Sequence, residues 1–249
     1  MSEFTDYAQG TPCWVELSTG DLAGTLDFYR AVFGWEYDEP ATDRDSYTVA
    51  RLRGKAVAGI FVPGQPNIPV VWTTYLAADD AGVIMKAIGE HRGHAITGLM
   101  DIPGDGRILI ASDPTGAVFG VLQGMGAQLG NEPGAVIWNE LLTPDPLTAR
   151  AFYAGVFGLG IGEPFDDAQD YTTIDVPGHE VGGIGALAGG GPAHWSTYFG
   201  VADTDATVAA VLAAGGRVVK EPYDSPYGRI AHCADPAGAS FALLSVSDG

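Results

Sequence analysis

Apolar and polar residues alternate along residues 13–19, CWVELST, so that Trp14 and Glu16 share one face. This alternation predicts a strand. The segment that follows, LAGTLDFYRAVF, spaces its apolar residues as an amphipathic helix does. Asp21 stands before it as a candidate N-cap, and Gly34 stands after it as a candidate C-terminal stop. The pattern therefore predicts a strand followed by a helix.

Short apolar segments separated by turns rich in Gly and Pro complete the first half of the chain. Strands are predicted at WEYDE, SYTVARL and AVAGIFV; the order then restarts with the strand VWTTYLAA, the helix AGVIMKAIGEH and the strands AITGLMD, GRILIAS and AVFGVLQ. Each half is thus predicted to hold two strand–helix–strand–strand–strand modules. In the second half the helices are predicted at residues 145–157 and 205–214.

The second half repeats the first. Residues 14–34 and 138–158 are identical at 10 of 21 positions, at an offset of 124. The match continues with small slips through Trp-x-Thr-Tyr, Gly-Arg-Ile and Asp-Pro-x-Gly segments of both halves. Self-similarity over a hundred residues indicates a tandem duplication. We predict two domains, at 10–126 and 134–247, joined by the Gly-rich stretch at 124–135.

The composition narrows the classes of partner. The chain is 46% hydrophobic and 10% aromatic, which excludes a disordered polypeptide. Thirty-one acidic residues against 12 basic ones give a net charge of −19. Phosphate backbones and anionic lipid surfaces repel such a charge, so no nucleic-acid or membrane partner is expected. A monomer or homodimer that binds a small organic molecule is the expectation.

The two cysteines, Cys13 and Cys233, lie in strand-like segments 220 residues apart and are predicted to be buried thiols in a reducing compartment. The first ten residues lack a basic, apolar leader, and no run of 18 apolar residues occurs. These features predict a cytoplasmic protein.

The module order and two motifs resemble the vicinal oxygen chelate superfamily, which includes glyoxalase I, bleomycin-resistance proteins and extradiol dioxygenases. The motifs are D-x(6)-F-Y-x(3)-F-G, at 21–34 and 145–158, and D-P-x-G, at 113–116 and 235–238. The chain is similar to the tandem two-domain glyoxalase-like subgroup common in actinobacteria. The resemblance implies an α+β fold of two such domains, each with a cupped mixed sheet and helices outside. The motif residues themselves have structural explanations as helix cores, helix ends and turns.

The resemblance also implies where a divalent metal would be bound, and the side chains there do not suit one. Counting from the motifs gives these positions: Trp14, Ala58–Gly59, Thr73 and Gly120 in the first half, and Trp138, Gly182–Gly183, Ser196 and Ala242 in the second. Indole, methyl and hydrogen side chains cannot ligate a metal. We therefore expect no metal cofactor. The alternative is a divalent-metal site formed by Glu140, His194 and His232.

Two matched carboxyl groups are the candidate catalytic residues. Glu16 and Glu140 lie two residues beyond a tryptophan, on the same strand face. If that face is the cup, each carboxylate needs a partner or must be neutralised. Arg107 and Arg229, on the penultimate strands, are the predicted partners. A Glu–Arg pair that merely closes each cup is one explanation; an anchoring or general-base carboxylate with a raised pKa is the other.

Matched aromatic residues are predicted to form the walls of a ligand site. Together with the two arginines, the candidate ligand-binding residues are Trp14, Trp72, Tyr75, Trp138, Trp195 and Tyr198, with Tyr47 and Tyr171 nearby. Aromatic walls with a few polar groups suit a flat organic molecule. Large aromatic residues in strands also serve simply as core.

Three hypotheses for function follow. The first is a metal-free protein that binds a small, mostly apolar metabolite or antibiotic, as in sequestration. The second is an enzyme, either a metal-dependent lyase or dioxygenase, or a metal-free hydroxylase or isomerase with Glu16 or Glu140 as base. The third is a scaffold whose pairing surface is the function. Whether modules pair within a half or between halves stays open at this stage.

Overall fold

The computed structural model describes residues 2–38, 47–65, 68–102, 106–164 and 170–245. These ranges contain four helices and two large curled sheets of mixed strand direction. A third, two-stranded sheet joins the N-terminal segment to the linker between the halves. The predicted α+β fold of tandem glyoxalase-like modules is confirmed.

The first half provides these elements: β1 (Ser2–Glu3), β2 (Pro12–Ser18), α1 (Leu22–Phe33), β3 (Glu36–Tyr37), β4 (Tyr47–Leu52), β5 (Lys55–Phe61), β6 (Val71–Ala77), α2 (Ala81–Glu90), β7 (His94–Ala95), β8 (Met100–Ile102), β9 (Gly106–Ser112) and β10 (Val118–Gly124). The linker strand is β11 (Leu129–Gly130).

The second half repeats the order with β12 (Val136–Thr143), α3 (Pro146–Phe157), β13 (Gly160–Ile161), β14 (Thr172–Val176), β15 (His179–Ala186), β16 (His194–Gly200), α4 (Thr204–Ala213), β17 (Arg217–Ser225), β18 (Gly228–Ala234) and β19 (Ser240–Ser245). The two predicted helices of this half agree with α3 and α4 to within one residue.

Each large sheet is built from one half of the chain. The first follows the order β3-β4-β5-β2-β6-β10-β9-β7, with β8 paired to β9, and the second follows β13-β14-β15-β12-β16-β19-β18-β17. The first strands of the two modules, β2 and β6, are antiparallel neighbours at the centre of the first sheet, as are β12 and β16 in the second. Modules therefore pair within a half, which the sequence left open.

The helix ends follow the predicted chemistry. The side chain of Asp21 accepts a hydrogen bond from the backbone N–H of Gly24, and Gly34 ends α1 at φ 71°. In α3, Asp145 accepts from Thr148, and Gly158 ends the helix at φ 74°. Glycine is favoured at both stops because the left-handed region costs an L side chain about 1–2 kcal/mol.

The two halves meet through their helices and through the central strands β6 and β16. Helix α1 packs against α4, and α2 packs against α3. Each of the two main apolar cores therefore draws on both halves; one joins Phe28 and Phe33 to Phe241, and the other joins Phe119 to Phe152. The predicted domain limits, 10–126 and 134–247, stay a prediction, because neither half encloses its core alone.

A buried hydrogen-bond chain crosses this junction twice. The indole of Trp72 donates to the hydroxyl of Tyr29 (3.0 Å), which donates to Asp235 of the other half (3.2 Å). The matched chain runs from Trp195 through Tyr153 to Asp113, again at 3.0 and 3.2 Å. The motif residues therefore link the two halves, in addition to forming helix cores and turns.

Cys13 and Cys233 are buried free thiols, as predicted. Among the described residues, no helix is long and apolar enough to cross a membrane.

Candidate functional site

The face of each large sheet that is turned away from the helices is here called the cup. In the first cup, Trp14, Tyr75 and Leu122 pack with Ile108 and Ile110. In the second cup, Trp138, Tyr198 and Ala242 pack with Ile230 and Tyr223. Glu16 and Glu140 project into these two surfaces, one in each.

Glu16 is held at the centre of the first cup by aromatic donors. It lies on β2 between Gly59 of β5 and Thr73 of β6. The hydroxyl of Tyr75 donates to its carboxylate at 2.6 Å, and Tyr47 and Trp14 also hydrogen-bond it. The carboxyl group is thus surrounded by three aromatic side chains whose polar ends face it.

Burial decides the protonation of this group. Loss of water raises the pKa of Glu16 above its ordinary value, and the three hydrogen bonds offset only part of that rise. The same contact raises the pKa of Tyr75, because the phenol is buried beside a carboxylate. The site therefore retains a proton on Tyr75 and stabilises one on Glu16.

Two glycines make room for the tyrosines. A Cβ atom at Gly59 would collide with the hydroxyl of Tyr47, and one at Gly120 would collide with the ring of Tyr75. A side chain at either position would displace a residue that contacts Glu16 or its partner. While the tyrosines stay in place, neither Gly59 nor Gly120 could be replaced by a side chain that ligates a metal.

The second cup repeats the cluster. Tyr198 donates to Glu140 at 2.6 Å, Tyr171 also donates to it, and the indole of Trp138 donates to Tyr171 at 3.0 Å. Burial raises the pKa of Glu140, although these donors and the charges of His194 and Lys220 lower it in part. The carboxyl group is deeply buried, as it is in Glu16, although the residue as a whole is partly exposed.

The second cup also carries polar groups that the first lacks. His232 lies 3.4 Å from the hydroxyl of Tyr223, and the ammonium of Lys220 lies 3.8 Å from the centre of the Tyr223 ring. Burial, with the nearby positive charges of Lys220 and His194, lowers the pKa of His232 to about 4. The imidazole is therefore neutral at pH 7. The matched residue in the first cup is Ile110.

The structure corrects two predictions about the cups. Trp72 and Trp195 do not line them; both are buried on the helix side, in the hydrogen-bond chains described above. Arg107 pairs with Asp101, and Arg229 pairs with Asp205 and Asp224, so neither arginine is the partner of a cup glutamate. Tyrosine hydroxyls take that role instead.

Two polar side chains of the second cup were not predicted as site residues. Tyr223 and Lys220 lie on β17, the strand that matches the predicted AITGLMD strand of the first half, where Asp101 and Gly98 occupy the equivalent positions. For Gly59 and Gly183 a signal existed, because they occupy the same place inside the matched segments GKAVAGI and GHEVGGI, each downstream of a matched tyrosine.

Comparison with known proteins identifies the family. The protein named "Putative glyoxylase CFP32" of Mycobacterium tuberculosis (strain CDC 1551 / Oshkosh) is 41% identical over 98% of both chains. The anthracycline biosynthesis protein DauV of Streptomyces sp. (strain C5) is 34% identical, over 98% of this chain and 96% of its own. A family model described as a glyoxalase-like domain matches residues 136–244. The chain belongs to the glyoxalase-like family.

Solved structures show the same fold at low sequence identity. The Mn(II)-bound glyoxalase from Novosphingobium aromaticivorans aligns with a TM-score of 0.68 at 16% identity, covering 96% of this chain and 83% of that one. BphC, a halotolerant catechol dioxygenase, aligns with a TM-score of 0.65 at 15% identity, covering 96% and 88%. These likenesses place this glyoxalase-like chain in the vicinal oxygen chelate fold.

The side chains of this glyoxalase-like chain do not fit the metal that its fold implies. Among the residues that the structure describes, no group of three His, Cys, Asp or Glu is arranged to hold an ion. Glu140, His194 and His232 share the second cup, but His194 is exposed and turns its ring toward the carbonyl of Pro192. The carboxylates of Glu16 and Glu140 already accept hydrogen bonds from tyrosine hydroxyls.

Proposed function

We propose that this chain binds a small, flat, mostly apolar organic molecule in its cups, without the metal of its fold family. The carrying observation is the matched cluster of a buried glutamate and two tyrosines, which occupies the centre of each cup. Such a cluster offers an incoming hydroxyl or carbonyl group a hydrogen-bonding anchor in apolar surroundings.

The walls support the same class of ligand. Apolar and aromatic side chains surround each glutamate, and exposed apolar residues continue along the first cup at Val71, Met100 and Val118. The Streptomyces relative named for anthracycline biosynthesis points the same way, because anthracyclines are flat polycyclic compounds. Sequestration of such a metabolite or antibiotic is the function that we infer.

A second candidate is proton transfer in the second cup. Glu140 combines a buried carboxyl group of raised pKa with two tyrosine donors, in a residue that is partly exposed as a whole. Its carboxylate would take a proton from an acidic C–H bond of the bound molecule and return that proton to another carbon, which isomerises the ligand without an oxidant. The neutral imidazole of His232 and the hydroxyl of Tyr223 would then orient the substrate.

The test is equilibrium binding of 1,4-dihydroxyanthraquinone, followed by calorimetry and by quenching of tryptophan fluorescence. Binding is expected, and Glu140→Gln and Glu16→Gln should each weaken it severalfold if their cup is occupied. The exposed Glu36 gives the matched control, Glu36→Gln, which should leave the affinity unchanged.

Two outcomes would count against the proposal. Absence of binding would reject this ligand class, and binding unaffected by both cup variants would place the ligand elsewhere. Proton transfer needs a ligand with an acidic C–H bond, such as anthrone. Deuterium exchange at its CH2 group in D2O that is accelerated by the parent and lost in Glu140→Gln, while the quinone still binds, would favour proton transfer over sequestration.

A further inference from the structure

A cavity of about 320 Å³ lies where the two halves meet, and neither Glu16 nor Glu140 lines it. Its volume falls at the lower end of the range of small-molecule sites, about 300–1,000 Å³. A site of this size suits a molecule of two or three fused rings.

Matched residues of both halves line this cavity. Trp14 and Trp138 are one such pair, and Val57 and Val181 are another. The cavity therefore exists only because the halves are joined. Trp14 and Trp138 border it from equivalent strand positions, while their indole N–H groups hydrogen-bond Glu16 and Tyr171 in the cups. Both tryptophans are partly exposed.

The N-terminal segment forms a fixed wall of the same space. Phe4 and Tyr7 line the cavity and stack with their ring centres 5.2 Å apart. The hydroxyl of Tyr7 donates to the carbonyl of Ala127 at 2.6 Å, and β1 pairs with β11. These contacts bind the segment to the linker and supply two more aromatic rings.

The rim of the cavity is acidic. Asp6 and Glu180 are exposed lining residues, and no Lys or Arg is among the residues that line the cavity. His179 is the only lining residue with a basic side chain in this part of the structure. Together with the net charge of −19, the rim favours a cation over an anion.

We propose that the junction between the two halves is a second binding site, which shares Trp14 and Trp138 with the cups, for a flat aromatic cation of two or three fused rings. Trp14, Trp138 and Tyr7 border the rings, and Asp6 and Glu180 attract the positive charge.

The test uses two dyes with nearly the same three-ring frame and opposite charge. 9-Aminoacridine, a cation at pH 7, is expected to bind and to quench tryptophan fluorescence. Anthracene-9-carboxylate is expected to bind about tenfold more weakly or not at all, the size of effect that near-surface charges produce. Calorimetry on the full chain gives both affinities.

Two variants locate the dye. Val181→Phe fills the cavity from a partly exposed strand position and should remove binding. Glu180→Gln should weaken binding of the cation severalfold, because it removes one negative charge from the rim. Glu36→Gln, on an exposed strand elsewhere, is the charge control and should have no effect.

The results separate this site from the cups. Loss of dye binding with Val181→Phe but not with Glu140→Gln or Glu16→Gln supports the proposal, whatever the cups bind. The proposal is overturned if 9-aminoacridine does not bind, if it binds equally well to folded Val181→Phe, or if only the cup variants weaken it. Circular dichroism of each variant establishes that it is folded.

Discussion

At the residue scale, burial and tyrosine hydroxyls act in opposite directions on Glu16 and Glu140. Burial penalises the carboxylate form and raises both pKa values, whereas the hydrogen bonds from Tyr75 and Tyr198 favour that form. Because burial is the larger cause, each carboxyl group prefers its proton more strongly in the folded protein than in the unfolded chain.

The stability of the protein should therefore depend on Glu140 in a defined direction. Its pKa in the folded state lies above the ordinary value of 4.5. Below pH 4.5 both states are protonated; as the pH rises further, the unfolded chain ionises first and the folded state loses relative stability. Glu140→Gln removes this penalty, so the variant should gain stability relative to the parent between pH 4 and pH 7.

Urea unfolding at pH 4 and at pH 7 measures the stability gain of Glu140→Gln over the parent, with Glu36→Gln as the exposed control. A stability difference between Glu140→Gln and the parent that stays constant across the range, or reverses, would contradict the direction of the pKa shift.

Residues of the cups were predictable only where strand alternation was applied strictly. Trp72 and Tyr75 are three positions apart, so one strand places them on opposite faces; the sequence held this information and the prediction of a shared wall was wrong. The partners of Arg107 and Arg229 were not predictable, because long side chains select among several nearby carboxylates.

At the element scale, the helices and the turns of opposite halves are joined through buried tyrosines. Tyr29 of α1 reaches the turn after β18, and Tyr153 of α3 reaches the turn after β9. The helices, caps and turns were predicted from the sequence and found. The joining was not, because it depends on how the halves dock and on no local pattern.

Removing either tyrosine hydroxyl should weaken this junction. Tyr29→Phe and Tyr153→Phe each leave a buried indole N–H and an aspartate without their shared partner, so each should lower the free energy of unfolding by about 1–3 kcal/mol. Because the two hydrogen-bond chains are matched, the two losses in the free energy of unfolding should be similar. Tyr227→Phe, at a largely exposed tyrosine, provides the comparison. If urea denaturation gives Tyr29→Phe and Tyr153→Phe the same free energy of unfolding as Tyr227→Phe, the two hydroxyls do not stabilise the junction.

At the scale of the whole molecule, the cores belong to both halves. Each isolated half would expose the apolar helix faces that α1 and α4, or α2 and α3, now cover. Exposed apolar patches of that kind drive association or aggregation. The tandem duplication thus gives two sheets with separate cups and two cores that both halves share.

Fragments 10–126 and 134–247 should therefore depend on each other. Expressed alone, each is expected to aggregate or to unfold at low urea concentration, and together they should form a one-to-one complex. Size-exclusion chromatography and circular dichroism check both statements. Two fragments that are monomeric, folded and indifferent to each other would show that the shared cores contribute little.

We propose that the cups bind an organic molecule without the metal of the fold family. Elemental mass spectrometry on protein purified without a polyhistidine tag, before and after incubation with manganese, iron, zinc and nickel, is the sharpest test of this proposal. Far less than one ion per chain is expected after dialysis. Near-stoichiometric metal that is retained by the parent and lost in Glu140→Gln would contradict it, and would turn attention to Glu140, His194 and His232.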